Sequence, residues 1–100
     1  MTLKECTEKL EELMPKFIEA QKEYADFTNK YECKKAWWYR QEENIALKNA
    51  ETREAHLYSF LELEGMIEEK QLIGNNFYRL KSEKEFLIEL SKSLRIIEGK

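Results

Sequence analysis

Six residues in the middle of the chain have the types and spacing to do chemistry: Lys30, Lys34, Lys35, Trp37, Tyr39 and Arg40, gathered around the run KKAWWYRQEEN from Lys34 to Asn44. Four cations within eleven residues could contact phosphates, and the flat rings of Trp37 and Tyr39 could stack on unpaired bases, which is how single-strand binders hold nucleic acid. The same residues could instead bury a protein interface, where aromatic side chains and arginine are enriched and lysine stems lie along the rings. Glu32, Glu42 and Glu43 dilute the positive charge and favour the protein interface.

Other chemistry has little to work with. The sequence holds no Gly-rich phosphate loop, no Walker motif and no nucleophile elbow. One histidine, His56, and two cysteines, Cys6 and Cys33, make no metal-ligand pattern, and a di-iron site would need two Glu-x-x-His pairs. Glu62, Glu64, Glu68 and Glu69 read as a solvated helix face, and His56 as a surface or boundary residue. Catalytic, cofactor-binding and metal-binding residues are therefore all predicted to be absent. On one straight helix the cysteines would stand about 40 Å apart, far beyond disulfide reach, so they read as reduced thiols.

These side chains need a scaffold, and the composition names its class. Of 100 residues, 37% are charged, three are glycine and one is proline, as in long helices or coiled coils. A chain of this length buries only roughly two thirds of its unfolded surface, so a core shared with another chain is a natural way to stabilise it. The net charge of -3 argues against attraction of the whole surface to a polyanion. No apolar run reaches the roughly 20 residues that span a bilayer, and MTLKECTEKL lacks the order of a signal peptide, so a cytoplasmic protein with no membrane contact is expected.

Thr2-Leu3-Lys4-Glu5 matches a capping box and starts the first helix. Steps of three and four from Leu3 reach Cys6, Leu10, Leu13, Phe17, Ala20, Tyr24, Phe27 and Tyr31, an apolar seam over four heptads, and then Lys34, Trp38, Gln41 and Ile45, where only every second position stays apolar. Adjacent helical residues point about 100° apart, so Trp38 joins the seam while Trp37 covers one flank and Tyr39 points outward. Pro15 predicts a kink at 14–15. Register is lost around LKNAETREA, where Asn49 can end one helix or cap the next. Met66, Ile73, Leu80, Leu87 and Leu94 then recur every seven residues, with Leu57, Phe60, Leu61 and Leu63 upstream.

The resulting expectation is a single all-α domain over 1–100: a long, coiled-coil-like antiparallel helical hairpin. Helix 1 covers about 3–47, the turn about 48–51 and helix 2 about 52–97, with a weakened stretch at 74–76, where Gly74, Asn75 and Asn76 are poor helix formers. Residue i should lie beside roughly 99 minus i, which sets Leu10 near Leu87 to Leu90, Ala20 and Tyr24 near Phe77 and Leu80, and Trp38 near Leu61. A lone pair of helices leaves both flanks of its seam uncovered, and association into a helical bundle, as a dimer or higher, or docking onto another protein would cover them.

Two segments, NAETREAHL at Asn49 to Leu57 and YRLKSEKEFLIELSKSLR at Tyr78 to Arg95, resemble small helical proteins encoded in the early gene clusters of tailed bacteriophages, often near recombination and replication genes. The resemblance covers about half the chain. It implies a phage origin, a host-cell cytoplasmic location and a helical, non-enzymatic accessory role, and it transfers no functional residue. The interruption at Gly74-Asn75-Asn76 departs from the uninterrupted second helix usual in such proteins. Three functions follow as expectations: a helical interaction and oligomerisation protein first, a single-stranded nucleic-acid-binding accessory of replication or recombination second, and an acidic helical inhibitor of a host nuclease or DNA-binding protein third.

Overall fold

The structure is a computed structural model that describes residues 1–47 and 49–99. Among them the chain forms only helices: α1 (Leu3–Tyr39), α2 (Glu42–Ile45), α3 (Ala50–Leu63) and α4 (Met66–Glu98). The fold class is an all-α helical hairpin. The residues group into two compact units, unit 1 of 1–24 with 74–100 and unit 2 of 25–73.

In unit 1 the start of α1 lies antiparallel to the end of α4. The Thr2 hydroxyl accepts from the Glu5 backbone N–H at 3.2 Å, which is one half of the expected capping box. The Glu5 carboxylate accepts the Thr2 hydroxyl proton. Glu98, at the far end of α4, accepts from the Leu3 N–H at 3.1 Å and so satisfies a donor that a helix start leaves without a partner. The core is Cys6, Leu13, Phe17, Ala20, Leu80 and Leu87, with Leu10, Phe77 and Leu90 packed against it. Phe77 stacks on Tyr24 at 4.7 Å, and the Lys84 ammonium sits 4.2 Å from the centre of the Phe17 ring. Cys6 is fully buried and donates its thiol proton to the Leu87 carbonyl at 3.1 Å, whereas Cys33, in unit 2, is exposed; both thiols are free. Helix α1 runs through Pro15 unbroken.

Unit 2 holds the reversal. Its core is Phe27, Trp38, Leu57, Leu61 and Met66, flanked by Tyr31, Leu47, Phe60, Ile67 and Ile73. Pairs in both units keep the expected register: Tyr24 with Phe77, as expected, and Leu3 with Glu98 in unit 1, Lys30 with Glu69 and Trp37 with Phe60 in unit 2, each within two residues of the 99 minus i rule.

Three boundaries differ from expectation. Helix 1 ends at Tyr39, not near 47, and α2 follows as a separate turn. Gln41 is extended (φ -77, ψ 128), its side-chain amide donates to the Trp37 carbonyl at 3.0 Å, and the Asn44 amide donates to the Trp38 carbonyl at 2.8 Å. The same two carbonyls also accept the backbone N–H groups of Arg40 and Gln41, a tightened last turn, so side-chain amides and early backbone donors together take the carbonyls that a continuing helix would use. The reversal spans 40–49 instead of 48–51; of that expected turn, Lys48 lies outside the described residues. Asn49 chooses the capping alternative, with its side chain accepting from the Glu51 N–H at 2.8 Å.

The third difference is the interruption of the returning helix. It falls at Gly65, with φ +74, where none was expected, while 74–76 stay helical inside α4, as expected of a weakened stretch. Leu61 and Met66 are both buried but five residues apart, which on one continuous helix would turn them about 140° from each other. A break between them lets both face the core. Gly65 supplies it because only glycine enters the left-handed region without steric cost. The two glycines should therefore respond oppositely to alanine. In urea denaturation, Gly65→Ala is expected to lose about 1–2 kcal/mol to the positive φ. Gly74→Ala, with ordinary helical geometry and open space around the added methyl, should gain about 0.5–1 kcal/mol.

Candidate interaction surface

The last turn of α1 divides the aromatic run as helical geometry requires. Trp38 is 4% exposed and packs among Leu57, Leu61 and Met66. Tyr39 stands edge-on to it, with ring centres 5.1 Å apart at 87°, and keeps nearly half its surface in water. Trp37 turns to the flank and lies on Phe60 of α3, centres 5.5 Å apart and planes 25° from parallel. Half of Trp37 (51%) stays exposed. A large ring is thus held flat by a partner on another helix while its other face is open, which fixes its orientation before anything binds.

Leu63 extends this apolar surface. It lies three residues after Phe60 and so on the same side of α3. The upstream seam expected for it is not where it sits, because Leu63 is 90% exposed. The break two residues later ends the helix before a further turn could cover it. The sequence carries no separate signal for Phe60 as the support of Trp37; the pairing rule sets Trp37 level with 62, about half a turn from Phe60.

The cations are arranged differently from what phosphate binding needs. Lys30 pairs with Glu69 and Lys34 with Glu64, both at 3.7 Å across the hairpin, and Lys35 pairs with Glu32 at 3.9 Å while its ammonium also approaches the Tyr31 ring. Such exposed pairs are each worth only about 0–1 kcal/mol, but they cancel the local positive potential. Glu64 and Glu69, read from the sequence as part of a solvated face, are the partners that do so, Glu64 from the C-cap of α3 and Glu69 from the first turn of α4. Arg40 alone of the four candidate cations has no carboxylate partner among the described residues. It lines a cleft of about 540 Å³ with Trp37, Phe60, Gln41, Glu42 and Glu43. That cleft is open, carries both signs of charge, and has one aromatic wall.

His56 is exposed, and among the described residues no group of three His, Cys, Asp or Glu side chains is close enough to hold a metal ion. Among the described residues no helix is long and apolar enough to cross a membrane. Set beside protein-family models, curated proteins and solved structures, the chain matches none of them.

Proposed function

We propose that this chain is a non-enzymatic helical interaction protein, an accessory factor of the bacteriophage kind that its second half resembles, which holds another protein chain on the Trp37 surface. The observation that carries the reading is Trp37 itself: half exposed and fixed on Phe60, with the exposed Leu63 three residues after Phe60 on α3, and with Lys30 and Lys34 tied to carboxylates. Interfaces concentrate their energy in such aromatic anchors, whereas exposed ion pairs at their edges contribute little. The free thiol of Cys33 suits a reducing cytoplasm.

The competing single-strand reading draws on Arg40, the stackable faces of Trp37 and Tyr39, and nothing else on this surface. One comparison separates the two. Wild type and Trp37→Ala, matched for helicity by circular dichroism, are used as baits in host extract and titrated with a single-stranded oligonucleotide at about 50 mM salt. A protein partner retained by wild type should bind Trp37→Ala at least about 30-fold more weakly, the roughly 2 kcal/mol typical of an anchor residue. Identical retention by both baits, together with a salt-sensitive tryptophan quench on adding oligonucleotide, would replace the protein partner by nucleic acid.

A further inference from the structure

Within unit 1 the two flanks of the helix pair differ in a way that the core positions define. Residues one before a core position on each helix, such as Lys16 and Glu23 on α1 and Asn76 and Arg79 on α4, gather around one shallow cleft and mark one flank. Residues one after a core position therefore share the other flank, since a step of one residue turns about 100° the opposite way. On α1 these are Glu11, Met14 and Ile18, following Leu10, Leu13 and Phe17. On α4 they are Tyr78, Lys81, Ile88, Lys92 and Arg95, together with Glu85. Ile18, Tyr78 and Ile88 are exposed and Met14 is half-buried, so this flank carries apolar side chains on both helices.

The charges on it are unevenly shared. The α4 edge is basic, with Lys81, Lys92 and Arg95 against Glu85, while the middle of the α1 edge carries Glu11 with Glu8 next to it, and Lys4 and Lys22 lie towards its two ends. We infer that a second copy of this chain docks on this flank by a two-fold axis parallel to the helices, so that α1 of each protomer lies over α4 of the other. Because residue 3 is level with 98 and 24 with 77, residue 11 is level with 90 and 14 with 87. The axis then brings Glu11 close to Lys92 of the other copy and Met14 against its Ile88, with Ile18 over the stem of its Lys81. Every contact occurs twice, as an isologous interface requires. The Lys92 ammonium already bonds Glu89 at 3.1 Å, but both groups are mostly exposed and free to exchange partners.

The alternative two-fold, perpendicular to the helices, would lay α4 on α4 and bring Lys81 towards Arg95, a like-charge contact. The opposite flank also fails for a second copy. There α4 offers the exposed Phe86 and Ile97, but α1 offers Glu5, Lys9 and Glu12, so a copy would press charged residues onto apolar ones. Covering the α1–α4 groove on the favoured flank turns an open pair into a four-helix bundle, the packing this seam geometry suits.

The test is a charge exchange read by sedimentation equilibrium on the full chain. Wild type should be a dimer, and Glu11→Lys or Lys92→Glu alone should each raise its Kd about 10-fold. The double variant should return it to within about threefold of wild type, because attraction is restored with its direction reversed. Ile18→Glu should raise Kd by about 10-fold or more, since it exchanges an apolar contact for a carboxylate that must lose its water in the interface and recovers only part of that at Lys81, and Phe86→Glu and Trp37→Ala should leave the mass unchanged. A wild-type monomer, or single reversals that the double variant does not rescue, would overturn the inference. A dimer lost in Trp37→Ala but kept in Ile18→Glu would also overturn it and assign self-association to the Trp37 surface, leaving the proposed interaction role intact.

Discussion

Replacing Trp38 by alanine is expected to destabilise the fold by about 3–5 kcal/mol, while the same change at its neighbour Trp37 costs less than about 1 kcal/mol. Two tryptophans in succession thus differ severalfold, and the reason is which way each side chain leaves α1. Trp38 fills the centre of unit 2, touching residues from α3 and α4, and its loss leaves a cavity that helices on several sides cannot close. It also removes the edge on which Tyr39 rests. Trp37 gives up a single stacking contact and a half-exposed surface. Domains of this size hold only about 5–15 kcal/mol in total, so Trp38→Ala should lower the urea midpoint steeply or abolish the transition. Equal losses at the two positions, measured by circular dichroism, would contradict the packing described. A double change at both tryptophans would confound folding with binding, which is why Trp37 alone is the informative variant for the interaction surface.

The second large effect is expected at Met66. It is 1% exposed and opens α4 directly after the Gly65 break, so its side chain is what anchors the restart of the returning helix to the core of unit 2. Met66→Ala should cost about 2–5 kcal/mol. For a chain of about 100 residues each kcal/mol shifts Tm by roughly 4–8 °C, so a fall of at least about 8 °C is expected in a thermal melt. A smaller fall would mean that α4 is held in place without Met66. Because methionine is flexible, Met66→Leu should recover most of the loss, which separates lost volume from a disturbed break.

Much of this architecture is legible in the residues, for a physical reason. The three-and-four spacing from Leu3 to Trp38 and the sevens from Met66 to Leu94 each demand one apolar stripe, and two stripes of opposite direction can only bury each other. The core of unit 1 consists of those residues, and that of unit 2 adds Leu57 and Leu61 from upstream of the sevens. What the spacing hides is where a helix stops. Nothing apolar marks the end of α1, which is decided by the amides of Gln41 and Asn44 reaching back to two carbonyls. The Gly65 break did leave a trace, the five-residue step from Leu61 to Met66, which no continuous helix can keep on one face. Gly74 drew attention as the weaker helix former among polar neighbours, yet an interior glycine costs a helix only about 1 kcal/mol, and the packing of Ile73, Phe77 and Leu80 outweighs it. The candidate surface was half legible. Trp37 as the outward ring followed from the 100° step, but the neutralised lysines depend on carboxylates brought from α3 and α4, and those partners exist only once the hairpin has closed.

The unlike fates of the two cysteines make the chain its own reporter. Cys6 is sealed in a core and hydrogen-bonded to a backbone carbonyl, while Cys33 lies open on α1. A thiol reagent offered to the native chain finds one target, and after the core opens it finds two. The mass of the labelled protein therefore counts molecules in which unit 1 has come apart, and a fluorophore on Cys33 can be placed there without entering either core.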